Sequence, residues 1–568
     1  MNFSGPTKAV FAFFFLSLAL WTARFYGRLP AITDIFLFTY PSQSVNQMEF
    51  AKGFVPLWDA YTGCGTPQLA NSLSACAYPP FWLWRFTGLS QWLVWMALLH
   101  SGWAFAGFYF WARSQKIYPL WAALGALSFA GSLHMVRCWG YPVFSAAQSW
   151  TPWVFGAAAR WLESGRARWW MALAASISLQ VLAGYPFFSF YALLFLVVWA
   201  LFQSCPLGRK KGLFVALPAA FGLSAVQWLP FLDSLGYSTR GGAAASPEHF
   251  AYFTKPLEFL TLLSPTALGR PETDSYLGTT ANANFMLYFG LIPLIAWIGG
   301  ILFQKFEGRI FWGSASLAWF LWLAGSWFPL WRVFPEAGLE WLNPSKAVGV
   351  FIFAACTCGG LALTRFFRDR WDDKKRSAIF WVVGALWMLD LLSLPYRMMH
   401  PVLDPYRKPE IRDWAEGVKK AAEGGRALSF KAHGKTKVYG TEDSGVFGAA
   451  ADDWVDNLLA NSMAVWGIRE SQAYLSTWTV SMDKFWRAFN QMETYGGALP
   501  DIAGVKALFL PLQLSPAHYQ VLGREGEGYL MQNKFSKGDA WPAYGEKFFP
   551  DQEAILVALL KEQTDPKK

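Results

Sequence analysis

Apolar runs alternate with short polar segments along the first 395 residues of the chain. A helix needs about 20 apolar residues to cross the hydrocarbon core of a bilayer, and about eleven runs approach that length. These runs lie near residues 9–27, 91–112, 118–136, 143–162, 168–184, 187–203, 213–231, 285–303, 310–327, 347–364 and 378–395. The pattern therefore predicts a polytopic α-helical membrane protein with about eleven transmembrane helices.

Lysine and arginine residues between the runs predict the orientation of the chain. They cluster in alternate polar segments, which contain Arg113 and Lys116, Arg166 and Arg168, residues 209–211, Lys305 and Arg309, and residues 365–376. The positive-inside rule places such segments in the cytoplasm. We therefore expect a cytoplasmic N-terminus and an extracytoplasmic position for everything after Pro395.

Three larger polar segments then lie on the outer side: residues 28–90, 232–284 and 396–568. The last of them alternates strand-like and amphipathic patterns. The strand patterns are 426–432, 436–440, 505–512, 519–523 and 528–533, and the helical patterns are 409–424 and 551–563. The sequence thus predicts a transmembrane domain over 1–395, with outer loops 28–90 and 232–284, and an extracytoplasmic mixed α/β domain over 396–568.

Composition supports the membrane assignment. The chain is 54% hydrophobic and 15% charged, and it contains 33 Trp and 50 Phe, which is unlike an ordinary soluble protein. Trp is typical of the interfacial belts of membrane proteins. The formal charge of +10 does not indicate a nucleic-acid partner, because the cations sit mainly in the short segments that set topology.

The first outer segment carries Asp34, seven residues beyond Gly27, beside the apolar residues Ile32, Ile35 and Phe36. Partial desolvation at such a place raises the pKa of a carboxyl group toward the range of a general base. An equally good interpretation is a cap of the short helix that begins after Asp34. The residues themselves leave both interpretations open.

A second acid of the same segment, Asp59, follows Pro56 and precedes Gly63, Gly65 and Pro67. These residues fix the backbone around the carboxylate. Asp59 then either orients a substrate or holds a divalent cation. The alternative is a compact loop without a catalytic role, which is the commoner case for a segment with such glycine and proline residues.

The second outer segment contains Arg240, Glu248 and His249. A cation near the membrane face can bind the phosphate of a lipid carrier, whereas a lone histidine is more often a surface residue. Lys346 opens an apolar run from the outer side, where it either contacts a phosphate or extends its amine to the interface.

Several short motifs resemble those of one family in their order along the chain. In the first loop they are Asp34, Pro56-Leu57-Trp58-Asp59, Gly65-Thr66-Pro67 and Tyr78-Pro79; further on they include Pro230, Ser238 and Arg240, and then Tyr288 and Gly290. The chain thereby resembles bacterial YfhO-like membrane proteins, which belong to the GT-C superfold of lipid-linked sugar transferases. It departs from the family at Tyr185, where a histidine is usual, and at Lys346, where an arginine is usual.

The resemblance implies an inverting transfer of a sugar from a polyprenyl-phosphate donor to a cell-envelope glycan or polymer, at the outer face of the bacterial inner membrane. Asp34 would be the general base, and Asp59 would be a second catalytic acid that assists it. Arg240 and Lys346 would bind the donor phosphate, and Tyr185, Glu248 and His249 would support the acceptor.

Two other functions share the polytopic build. One is a lipid or glycan transporter or flippase, and the other is an envelope assembly protein that kept the fold and lost the reaction. A transporter favours charges at the membrane midplane and an inverted repeat, whereas this chain concentrates its charges at the edges of the apolar runs.

Overall fold

A computed structural model describes most of the chain. The described residues are 5–30, 34–238, 256–269, 277, 286–303, 305–325, 342–368, 373–399, 401–429, 461–471, 500, 501, 503–510, 513–525 and 528–536. The chain divides into two compact units. The first consists of Met1–Ala31, Ala77–Trp228 and Ser246–Val402, and the second of Ile32–Cys76, Leu229–Ala245 and Leu403–Lys568. The division at residue 395 stays a prediction from the sequence.

A helix stands at each apolar run. The helices are α1 Gly5–Arg24, α2 Tyr40–Ala51, α3 Leu89–Ser114, α4 Pro119–Ala130, α5 Leu133–Arg137, α6 Pro142–Ser164, α7 Ala167–Leu182, α8 Pro186–Leu201, α9 Leu207–Leu223, α10 Ala225–Gly236, α11 Leu291–Leu302, α12 Arg309–Leu323, α13 Val348–Arg368, α14 Asp373–Leu392, α15 Leu394–Met398 and α16 Pro409–Ala421. Proline occupies the first position of several of them, where its missing N–H costs no hydrogen bond.

Three helical segments in the described part of the chain are long and apolar enough to cross a membrane: Thr7–Arg24, Leu89–Ser114 and Pro344–Phe367. Two bent pairs pass the same test when each is taken as one span. They are Pro119–Ala130 with Leu133–Gly140, bent by 42°, and Leu207–Leu223 with Ala225–Gly236, bent by 78°. By length and composition the described residues thus contain up to five spans, and the number of about eleven stays a prediction.

Helices α3 and α6 of the first unit pack closely because each offers a glycine to an aromatic ring of the other. A Cβ on Gly107 would meet the Trp153 ring at 2.5 Å, and a Cβ on Gly156 would meet the Phe110 ring at 2.6 Å. Small residues allow helix backbones to approach in this way within membranes. Trp153 also stacks on Trp103 with ring centroids 4.3 Å apart.

The second unit contains a four-stranded mixed sheet with strand order β3-β4-β6-β5. Its strands are β3 Arg426–Ser429, β4 Val505–Leu510, β5 Tyr519–Glu525 and β6 Gly528–Asn533, whereas β1 Arg28–Pro30 and β2 Pro401–Leu403 form a separate pair. β3 runs parallel to β4, and β6 pairs antiparallel with both β4 and β5. Leu428, Leu508 and Met531 are fully buried in this sheet.

Four of the predicted strands therefore coincide with observed strands, and α16 coincides with the predicted helix 409–424. The side chain of Trp414 on α16 packs edge-on against Phe509 of β4, with ring centroids 5.0 Å apart. The predicted strand 436–440 and the predicted helix 551–563 lie outside the described residues.

Candidate functional site

Asp34 precedes a short π-helix, Ile35–Thr39, in the second unit. Its backbone angles, φ −64° and ψ −19°, are helical, and its side chain makes no capping hydrogen bond. Asp34 thus occupies the N-cap position of this helix, but its side chain makes no hydrogen bond that would cap it. Its side chain is half-buried, whereas Ile35 and Phe36 are fully buried. The general-base role of Asp34 stays a prediction.

Asp59 lies in a tight turn of the same unit. Its Oδ1 accepts hydrogen bonds from the backbone N–H groups of Tyr61 at 2.8 Å and Thr62 at 3.2 Å. Its own N–H and C=O pair with Thr66 at 2.8 and 2.9 Å, which closes the turn. The residue is buried, and burial raises the pKa of its carboxyl group although the two backbone N–H groups oppose the rise.

The sequence did not single out Glu470, a fully buried acid in the same unit. Its backbone N–H donates to Tyr61 O at 2.7 Å, and its C=O accepts from the Cys64 N–H at 3.1 Å. Burial, and next the charge of Asp59, raises the pKa of Glu470 well above its ordinary value. The sequence did not indicate that Asp59 and Glu470 influence each other's surroundings, because the two acids lie in distant parts of the chain.

In the first unit, Lys346 and Tyr185 come together. Lys346 lies in a 3₁₀ turn, Pro344–Ala347, that begins directly before α13, and its Nζ stands 6.0 Å from the centre of the Tyr185 ring. A cation at that distance from an aromatic face is attracted by it. Tyr185 directly precedes α8, and its ring packs against Phe144 and Phe188 with centroids 4.0 and 4.6 Å apart. Tyr185 and Lys346, both predicted site residues, thus lie beside each other.

A second cation, Arg137, belongs to the same neighbourhood. It is fully buried at the end of α5, and its Nη1 donates to Met398 O at 3.4 Å. Arg137 and Lys346 both lie within electrostatic range of Cys138. An arginine inside an otherwise apolar segment is a signal that sequence reasoning could have used.

Two polar residues within helices have defined hydrogen-bond partners. His100 Nε2 lies 3.0 Å from Tyr78 Oη, and its Nδ1 lies 2.6 Å from Met96 O. Asp390 accepts from the Tyr288 hydroxyl, with oxygen distances of 2.7 and 2.6 Å. These contacts fit helix–helix packing and do not require a ligand.

The remaining predicted site residues, Arg240, Glu248 and His249, lie outside the described residues. Among the predicted site residues that the structure describes, Lys346 and Tyr185 are therefore the pair found in contact. Within that part of the chain, no group of three or more His, Cys, Asp and Glu side chains is arranged to hold a metal ion.

No protein-family profile matches the sequence, and no curated protein matches it. Several solved structures, however, are similar to this protein. The arabinofuranosyltransferase AftD from Mycobacteria superposes with a TM-score of 0.62 at 14% identity, over 95% of this chain and 40% of that one. A variant of AftD gives 0.52 at 15% identity, over 88% of this chain and 36% of the other. ArnT from Cupriavidus metallidurans, at 13% identity over 94% of this chain and all of that one, has a TM-score of 0.45, too low to add support.

This chain thus spans about 40% of the length of AftD. Likeness at this identity concerns the fold, and the fold is that of GT-C membrane glycosyltransferases. The chain is accordingly a membrane protein with a GT-C fold, as the order of its motifs implies. The narrower YfhO-like assignment stays a prediction.

Proposed function

We propose that this GT-C-fold protein is an inverting glycosyltransferase that uses a polyprenyl-phosphate sugar as its donor and a cell-envelope glycan or polymer as its acceptor. The observation that carries the proposal is the fold shared with AftD, an arabinofuranosyltransferase, over 95% of the chain. A fold alone does not decide a reaction. The acidic and basic residues described above are the reason to expect glycosyl transfer in particular.

In the proposed reaction, the Asp34 carboxylate takes the proton of an acceptor hydroxyl group. The hydroxyl oxygen then forms a bond to the anomeric carbon of the donor sugar, and the bond between that carbon and the phosphate oxygen breaks. Polyprenyl phosphate leaves with the electron pair, and attack from the opposite side inverts the anomeric centre. The half-buried position of Asp34 beside buried Ile35 supports this role, because a general base must be reachable by the acceptor and held in place.

Lys346 and Arg240 would stabilise the negative charge that develops on the departing phosphate. The contact between Lys346 and the Tyr185 ring supports this role for the lysine, because the packed ring limits the directions that the amine can take. Arg137 adds positive charge to the same neighbourhood. A phosphate is an adequate leaving group, so the proposal does not require a strong general acid.

The other predicted residues complete the proposal. Asp59 either orients the acceptor or holds a divalent cation, and Tyr185, Glu248 and His249 support the acceptor. The protein would act at the outer face of the bacterial inner membrane, with a cytoplasmic N-terminus and an extracytoplasmic C-terminal region. The bilayer and the lipid-linked donor are its expected partners.

The decisive experiment reconstitutes the purified full-length chain in liposomes with radiolabelled polyprenyl-phosphate sugars and envelope glycan acceptors. Both pentose and hexose donors are offered. We expect labelled glycan with the wild-type protein and a loss of at least about a hundredfold in kcat with Asp34→Asn, as is usual on removal of a general base.

Glu49→Gln is the matched control, because Glu49 is an acid of the same unit whose carboxylate pairs with Lys52 at 2.7 Å. It should transfer sugar as the wild type does. Undiminished transfer by Asp34→Asn would exclude Asp34 as the base. Movement of the labelled lipid across the liposome bilayer without glycan labelling would favour a flippase instead.

A further inference from the structure

A carboxyl group whose oxygens have no hydrogen-bond partner among the described residues lies inside the second unit. The Glu470 side chain has no exposed surface, and neither of its carboxyl oxygens has a hydrogen-bond partner among the residues described. The Asn461 backbone N–H lies close enough to favour the charged form but does not reach hydrogen-bond geometry. Buried polar atoms are nearly always satisfied, so this carboxyl group requires an explanation.

The backbone holds Glu470 firmly against the turn that contains Asp59. On one side, Glu470 bonds through its N–H to Tyr61 and through its C=O to Cys64. On the other side, the Arg469 C=O and the Ser471 N–H bond to Ala427 of β3 at 2.7 and 3.1 Å. The segment is therefore extended like an added strand between the sheet and the turn. Four backbone hydrogen bonds therefore hold the backbone of this segment in place.

Asp59 supplies a second buried carboxylate at this place. Its Oδ1 accepts from two backbone N–H groups, and the charge of Asp59 contributes to the raised pKa of Glu470. Two acids in one dry interior repel each other unless something compensates their charge.

The nearby cations in the described residues make other contacts. Lys52 bonds to Glu49 and Tyr61, Arg426 donates to Ala60 O, and Lys419 donates to Trp466 O. None of the ion pairs among the described side chains includes Asp59 or Glu470. Within the part of the chain that the structure describes, no ion pair with a protein cation therefore compensates these two acids.

We propose that Asp59 and Glu470 together bind one hard divalent cation, best matched by Ca²⁺, which fastens the turn 59–66 to the segment 461–471. A cation would satisfy the oxygens of Glu470 and compensate both charges at once. Ca²⁺ accepts oxygen ligands in an irregular arrangement, whereas Mg²⁺ demands a near-ideal octahedron and keeps its waters. With only two acids, we expect the affinity of an extracellular calcium module, about 10⁻⁴ to 10⁻³ M.

This site extends the second of the two roles proposed for Asp59. Cation binding is measured without donor or acceptor, so its failure and the failure of the transferase proposal are separate results.

The test uses the full chain purified in an uncharged detergent and stripped with EDTA. Equilibrium dialysis with ⁴⁵Ca²⁺ should show one saturable site per chain. Thermal unfolding should shift upward by at least about 3 °C in saturating Ca²⁺ and by less in Mg²⁺, since a ligand that binds only the folded state stabilises it. Absence of both saturable binding and a thermal shift in the wild type would overturn the proposal.

Glu470→Gln and Asp59→Asn should each lose the bound Ca²⁺ and the thermal shift, and Glu49→Gln should keep both. Retention of binding by Glu470→Gln would place the ion elsewhere. If Glu470→Gln is more stable than the wild type while the wild type binds no Ca²⁺, Glu470 is simply a neutral buried acid.

A measurement on the wild type keeps the proposal testable if these variants fail to fold. The Cys64 N–H bonds to Glu470, and its thiol lies 3.6 Å from Ser471 O. Bound Ca²⁺ should therefore slow alkylation of Cys64 severalfold, whereas Cys205, in the first unit, should react at an unchanged rate. Unchanged alkylation of Cys64 at saturating Ca²⁺ would contradict a site at this turn.

Discussion

At the scale of single residues, the surroundings of each charged group decide what it can do. Asp59 is tied by two backbone N–H groups and buried, which favours a positioning role. Asp34 is half-buried and makes no capping hydrogen bond, and its role as a base stays a prediction. Lys346 differs from both, because an aromatic ring supports it and a second cation, Arg137, shares its neighbourhood.

Lys346→Met should raise the KM for the polyprenyl-phosphate donor about tenfold or more, since a hydrogen bond to a charged group contributes about 1.5–3 kcal/mol. Lys346→Arg should keep most of the affinity, because guanidinium binds phosphate well. Initial rates over a range of donor concentrations measure both. Lys210→Met is the control, as the exposed Lys210 amine donates to Leu201 O at 3.0 Å. An unaltered donor KM in Lys346→Met would remove this lysine from the phosphate site.

At the scale of helices and strands, reciprocal packing decides how closely elements approach. Gly107 and Gly156 each receive an aromatic side chain from the facing helix, so α3 and α6 interlock through rings rather than through aliphatic contacts. The Phe110 ring that lies over Gly156 also stacks against Trp153 and Trp169, with centroids 5.6 and 5.7 Å apart. A change at Gly156 therefore disturbs three helices.

Gly156→Ala should destabilise the first unit by about 1–3 kcal/mol, because the added methyl group displaces the Phe110 ring from a packed position. Gly222→Ala is the matched control. It is also a helical glycine of this unit, and a Cβ there meets nothing within 4 Å. That change should be neutral or stabilising by up to about 1 kcal/mol, because alanine favours the helix. Thermal unfolding in detergent compares the two, and equal midpoints would contradict the interlocked packing.

At the scale of the whole molecule, the chain combines a GT-C membrane fold with a unit built around a mixed sheet. Both units draw on three separate stretches of sequence. The turn 59–66 joins the second unit through its hydrogen bonds to Glu470, although it lies close in sequence to the first helix. The second unit is therefore assembled by backbone pairing between segments that lie far apart in the sequence.

The predicted topology has a direct test in whole cells. A cysteine at the exposed Ala517 should react with a membrane-impermeant maleimide in intact spheroplasts, because the C-terminal region is predicted to be extracytoplasmic. A cysteine at the exposed Lys211 should react only after permeabilisation. Wild-type protein gives the background of the six native cysteines. Labelling of Lys211→Cys in intact spheroplasts would reverse the orientation or change the number of spans.

The sequence by itself determined the helices, because apolar periodicity and length are local properties that each segment carries alone. A helix stands at every apolar run, and strands stand at 426–429, 505–510, 519–525 and 528–533, where alternation predicted them. The order of short motifs likewise implied the GT-C fold before any coordinates. The count of membrane spans is a weaker inference, because bends at positions such as Ser224 divide an apolar run into shorter helices.

Only the tertiary structure decided which charged residues meet. The sequence did not single out Glu470, which is a buried neighbour of Asp59 because the segment 469–471 pairs with β3 on one side and with the turn on the other. Arg137 and Lys346, also distant in sequence, both lie within electrostatic range of Cys138. Burial and charge proximity depend on contacts between segments distant in sequence. Local patterns do not encode such contacts, and they appear only when the chain has folded.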